Sequence, residues 1–311
     1  MHPIRTITAS ALRAAVSRHP VVSFLIVALP LVFAVVTVPA LAQYDVLPGK
    51  GLPEKLGLTM EEAASFLLVL VIFGTALAVT AVAEGNEGVR ILLRRTTRWR
   101  VALRWWLFAV LAMPTATILL ATAMGDHATL PTPSVLAGEA VAFTVAFLAA
   151  NLGEEGTWAG FMQTHLERRH AFLTAAVITA VPFALVHMPL RVITGEATTV
   201  GELAVSFVGL FIFAIFFRTL IGAVARGASN SVLLAAVTHT FFNRSSNLGG
   251  IVDDILTGPN RQIAALVAAV VLTVGLGLLV RRRLTRAYRR KLDAAERATL
   301  PTAHAHVRSA G

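Results

Sequence analysis

Val141-Ala142-Phe143-Thr144-Val145-Ala146-Phe147-Leu148-Ala149-Ala150-Asn151-Leu152-Gly153-Glu154-Glu155-Gly156-Thr157-Trp158 is the stretch whose reading decides the fold. The apolar character resumes at Ala159 and runs to Met162. Two adjacent carboxylates inside a hydrophobic segment of bilayer-spanning length are costly to keep there and mark a functional centre. The stretch therefore reads as a membrane helix with one polar point. What the protein does depends on which other segments can reach that point.

Composition supports a membrane setting. Of 311 residues, 56% are hydrophobic and only 14% are charged, against about a quarter charged in a soluble domain. With several long apolar runs, the chain reads as a polytopic membrane protein in contact with lipid. The net charge of +10 comes largely from arginines in short segments beside apolar spans, where the positive-inside rule places them. No nucleic-acid recognition motif accompanies it, so nucleic acid is not an expected partner. The absence of cysteine removes disulfides, thiolate catalysis and cysteine metal sites.

The expected fold class is all-α, a bundle of about eight transmembrane helices. Residues 1–20 form an N-terminal cytoplasmic segment with Arg5, Arg13 and Arg18 ahead of Val21 to Ala42. That apolar run is too long for a signal peptide core and reads as an uncleaved first helix. Further spans are expected at about 63–83, 101–124, 135–168, 172–190, 203–224, 230–242 and 263–280, with Asn230-Ser231 capping the seventh. Residues 281–311 read as a basic cytoplasmic tail with a disordered end. The arginine-rich connections, including Arg90 to Arg100 and Arg168-Arg169, all fall on one side of such a bundle, predicting a multi-pass protein of the cell membrane with both termini on the cytoplasmic side. Glu139, His127, His165 and His170 are expected to face water.

Two later segments carry partners for the glutamates: Phe183-Ala184-Leu185-Val186-His187 and His239-Thr240-Phe241-Phe242-Asn243. If the fourth span continues to about Arg168, spans four and five make a hairpin turning at His170/Ala171. Glu154 and His187 then each lie 16 residues from the turn, at the same depth of about 24 Å. His239 comes roughly 14 Å into its own helix, and Asn243 shares its face one turn on. Spacing makes the convergence of Glu154, His187, His239 and Asn243 possible without requiring it. Taken singly, an intramembrane histidine or asparagine is more often an interhelical hydrogen bond. Together, on three helices, they point to a functional polar centre.

At these residues the chain resembles the CPBP family of intramembrane proteases, which includes type II CAAX prenyl endopeptidases and bacterial Abi-type proteins. The family motifs are Glu-Glu-x-x-x-Arg, Phe-x-x-x-His and His-x-x-x-Asn. Glu154-Glu155 opens the first, Phe183 to His187 fits the second and His239 to Asn243 the third. The resemblance covers about residues 135–247. One departure stands out: Ala159 occupies the place of the family arginine. Glu155 must then be neutral, meet water, or pair elsewhere, with Arg191 and Arg244 as candidates.

The resemblance implies an endopeptidase acting on a membrane-associated peptide or protein, prenylated or bacteriocin-like. Glu154 would be the general base, His187 would position the water, and His239 and Asn243 would stabilise the oxyanion, with Glu155 and Phe183 in support. A second version makes Glu154, His187 and His239 ligands of zinc. Without a His-Glu-x-x-His pattern, the metal-free version is preferred, with zinc kept as the possible cofactor. Two other classes stay open: a proton-coupled transporter, and a non-catalytic immunity or maturation partner.

Overall fold

A computed structural model describes residues 9–246 and 250–277. They form an all-helical bundle with one small strand pair. A short helix, α1 (Ala9–Arg18), leads into α2 (Pro20–Gln43). Then come α3 (Met60–Thr96), α4 (Leu103–Ala123), α5 (Pro133–Glu167), α6 (Phe172–Ile193) and α7 (Val200–Gly227). The chain closes with α8 (Val232–Ser246), α9 (Ile251–Ile255) and α10 (Arg261–Gly277). Six of these, α2 to α7, are long and apolar enough to cross a membrane. The expected seventh and eighth spans correspond to α8 and α10, which are shorter over the described residues. The end of the eighth span and the basic tail from residue 281 lie outside the described residues.

Helix starts follow local chemistry. Thr59 and Thr199 each form a capping box with the glutamate three residues on, opening α3 and α7. The reciprocal bonds satisfy backbone N–H groups that have no partner in the first turn. The Thr132 hydroxyl accepts from Val135, with Pro133 preset for the first turn of α5. As expected, Ser231 caps α8, accepting from the Leu234 N–H while donating to the Arg98 carbonyl.

Two expectations are corrected. The arginine-rich segment after the second span is not a loop: α3 bends at Gly85 (φ 72°) and continues to Thr96, carrying Arg90, Arg94 and Arg95 on a helical arm. The positive φ suits glycine, which has no Cβ to clash. The acidic and histidine side chains near helix ends are not all solvated. Glu139 is buried against Arg244, and His165 is buried between the Phe161 carbonyl (2.7 Å) and Glu84 Oε1 (3.2 Å). A neighbouring helix covers each of them, which position along one helix cannot reveal. His127 and His170 are exposed, as expected.

The core runs along the α2–α3 contact, where Ala28, Val32 and Val36 meet Ala64, Ile72 and Ala76. Small residues let the backbones approach, as membrane packing requires. Outward side chains such as Ile26, Leu70, Val145 and Val205 are exposed and apolar, a surface suited to lipid. At one end of the bundle, β1 (His127–Ala128) pairs antiparallel with β2 (Leu256–Thr257), and Asp126 accepts from Asn260 N and Nδ2.

Candidate active site

Helix α5 changes pitch around the glutamates. Residues Phe147–Asn151 and Gly156–Gln163 are π-helical, flanking the single α turn Leu152–Glu155. Wider turns of this kind occur often at functional sites, because they re-aim side chains. Glycines allow α3 to press against the irregular segment: a Cβ on Gly153 would lie 2.7 Å from Val69 Cγ1. Arg95 secures the segment from α3, donating to the Gly160 carbonyl (2.8 Å), Thr164 Oγ1 (3.0 Å) and the Asn230 carbonyl (3.0 Å).

The α5–α6 hairpin turns between Glu167 and Phe172 and brings His187 level with Glu154. His187 Nε2 lies 3.6 Å from Glu154 Oε1, and His239 Nε2 lies 3.9 Å from Glu154 Oε2. Both separations exceed a direct hydrogen bond and suit a bridging water. Glu154 Oε1 is buried and has no hydrogen-bond partner among the described residues. A carboxylate oxygen held this way is an acceptor available to a water or a substrate.

The tautomers follow from the other ring nitrogens. His187 Nδ1 is 2.6 Å from the Phe183 carbonyl, which can only accept, so Nδ1 carries the proton. In the neutral ring Nε2 is then an acceptor aimed at Glu154. His239 Nδ1 lies 2.8 Å from Glu155 Oε1 and donates to that carboxylate. The Phe183 ring ties the pieces together. It sits 4.6 Å from the His187 ring, 5.9 Å from Trp158 and 6.4 Å from His239.

The partner of Glu155 is Arg218 of α7, which the sequence reading did not single out. Nη1 and Nη2 reach Oε1 and Oε2 at 2.6 and 2.8 Å, and both side chains are completely buried. The candidates Arg191 and Arg244 are engaged elsewhere, with Glu196 and Glu139. The Arg218 guanidinium also lies 5.4 Å from the Phe183 ring centroid. The signal was present in the sequence: an arginine inside the run Phe216-Phe217-Arg218-Thr219-Leu220 is as costly to bury as the glutamates. Asn151, likewise given no role, accepts from Asn243 Nδ2 (3.2 Å) and donates to Thr240 Oγ1 (2.9 Å). This leaves the second Asn243 N–H free to serve another acceptor.

Glu154, Phe183, His187, His239 and Asn243 line one cavity of about 600 Å³. Glu155 stands behind His239. The six residues singled out from the sequence thus gather at one place. Two histidines with fixed Nδ1 and a carboxylate are donors of the kind zinc uses. Among the described residues, however, no three His, Asp or Glu side chains form a group that could hold a metal ion as they stand, and no step below is routed through one.

A membrane-spanning helical bundle with a buried carboxylate–histidine cavity defines the class. Residues 136–245 match the family model described as type II CAAX prenyl endopeptidase Rce1-like. The resemblance read from the three motifs therefore holds over these residues, which are similar to a family of membrane proteases. No curated protein matches the chain.

Proposed function

We propose that the protein is an intramembrane endopeptidase that hydrolyses its substrate with a water activated by Glu154 and His187. The observation that carries this reading is the facing of Glu154 Oε1 and His187 Nε2 across 3.6 Å at the cavity wall. A water between them donates one O–H to each acceptor and turns a lone pair toward the cavity. As that lone pair attacks the substrate carbonyl carbon, Glu154 takes the proton as general base. The tetrahedral oxyanion receives hydrogen bonds from Asn243 Nδ2–H and from His239 Nε2–H in the imidazolium form. Glu155 holds the other side of that ring, and Arg218 holds Glu155. Collapse of the intermediate breaks the C–N bond, and the proton on Glu154 passes to the leaving amine.

This reading places the chain in the cell membrane with lipid around it and a membrane-associated peptide or protein as substrate. The Glu155–Arg218 pair supports catalysis over a non-catalytic role, since it supplies a guanidinium that Ala159 cannot. Substrate trapping tests the proposal. A Glu154→Gln variant should retain uncleaved peptides that the parent chain releases as fragments, read by mass spectrometry. Identical fragments from both would overturn the assignment.

A further inference from the structure

We infer that the cavity opens on the exoplasmic side of the membrane, so that the substrate presents its scissile peptide bond from outside the cytoplasm. The inference rests on the protease reading only for the word substrate; the direction of opening rests on where two sets of residues lie.

The first set is the rim of the cavity. Besides the catalytic cluster, its lining includes Glu61, Ser65, Arg191, Ser206, Ser246 and Gln262. Glu61 and Ser65 lie in the first two turns of α3, Ser206 in the second turn of α7, and Gln262 at the start of α10. Arg191 and Ser246 lie in the last turns of α6 and α8. All five helix ends lead into the connections 44–59 and 194–199 and into the stretch before α10. The same end carries the β1–β2 pair, the Asp126–Asn260 clasp and the Tyr44 hydroxyl donating to the Val192 carbonyl (2.6 Å). The cavity therefore widens toward this face.

The second set is the arginines, which gather at the opposite face. Arg169 donates to the Arg18 carbonyl (3.0 Å), and Ser17 donates to the Ala83 carbonyl (3.1 Å). Arg98 donates to the Ser229 carbonyl (2.7 Å). These bonds put α1, the arm of α3, the α5–α6 turn and the α7–α8 turn on one side, with Arg90, Arg94, Arg95, Arg98, Arg100, Arg168, Arg169 and Arg226. The cavity face carries fewer basic residues: Lys50, Lys55, Arg191, Arg244 and Arg261. The face richer in Lys and Arg near the span ends stays in the cytoplasm, which leaves the cavity mouth outside. The matching ligand is a peptide exposed at the outer surface, with its cleaved region lowered into the outer leaflet.

The chain has no cysteine, so single cysteines report cleanly. Ser65→Cys and Ser206→Cys probe the cavity. Leu130→Cys, at a residue 96% exposed, and Trp99→Cys, at one 61% exposed, mark the cavity face and the arginine face. Intact cells expressing each variant are treated with a membrane-impermeant maleimide. The expected result is labelling of both cavity cysteines and of Leu130→Cys from outside, with Trp99→Cys labelled only after permeabilisation. Cavity cysteines labelled only after permeabilisation would overturn the inference. So would cavity cysteines labelled under neither condition while both markers label, because the cavity then has no aqueous mouth. Labelling needs no hydrolysis: a parent chain that cleaves nothing removes the protease reading and leaves the direction of opening standing.

Discussion

Arg218 and Glu155 meet in a two-point contact from different helices, with no solvent exposure on either side chain. The pair joins α7 to the irregular centre of α5 and, through Glu155, sets the orientation of His239. A guanidinium presents parallel N–H donors that match both carboxylate oxygens. The contact holds geometry at the site as much as it holds the helices together.

Removing one partner of such a pair leaves the other charge buried and alone, at a cost of about 3–5 kcal/mol. Arg218→Met should therefore lower the thermal unfolding midpoint in detergent sharply. Glu155→Gln together with Arg218→Met should recover much of the loss, because no uncompensated charge remains. A double variant as unstable as the sum of the singles would show that the two residues are not coupled.

Glu155→Gln alone tests orientation. A glutamine can present N–H rather than oxygen to His239 Nδ1 and so disfavours the doubly protonated ring that donates from Nε2. The expected result is a fall in kcat of about 10²-fold or more, by analogy with general acid–base groups held by a carboxylate, with KM little changed. Equal kcat in a folded variant would remove Glu155 from the positioning of His239.

Asn243→Ala should reduce kcat by about 10²–10³-fold, the range for loss of one oxyanion donor. Asn151→Ala should give a smaller decrease, since it frees the Asn243 amide to turn without deleting it. Steady-state kinetics on one peptide substrate would check the order; a larger loss from Asn151→Ala would reverse the assignment.

Gly156→Ala probes the close approach of α3. The added Cβ would stand 2.5 Å from Phe73 Cε2, so the ring must move or the helices part, a strain of about 1–3 kcal/mol. Phe73→Leu in the same chain should relieve it, because the obstruction is a side chain. Thermal unfolding of the two variants would decide; an unchanged midpoint in Gly156→Ala would mean that the contact is soft.

Much of the bundle was legible because lipid imposes long apolar runs, and the hairpin could be placed by counting residues from one turn. Glu154, His187, His239 and Asn243 were legible as polar groups where lipid tolerates few. Arg218 carried the same signal, but it lies on α7, whereas the candidates named for Glu155 were Arg191 on α6 and Arg244 on α8. Which helix faces which depends on packing between segments distant in sequence. The same cause hid the pairing of Glu139 with Arg244 and of His165 with Glu84. The π turns around the glutamates were beyond reading, since their register is set by α3 pressing on Gly153 and Gly156.

Metal dependence is settled by chelation. Hydrolysis by a water held between Glu154 and His187 should persist after treatment with a strong chelator and dialysis. Loss of cleavage that zinc restores, with stoichiometric zinc in the purified protein, would assign Glu154, His187 and His239 as ligands instead.

The central claim is that Glu154 removes a proton from the attacking water. Glu154→Gln keeps the size of the side chain while removing the base. Measured on one peptide substrate with the purified, folded protein, kcat should fall by about 10²–10⁴-fold with the unfolding midpoint within a few degrees of the parent. Cleavage at the parent rate in that variant would contradict the account.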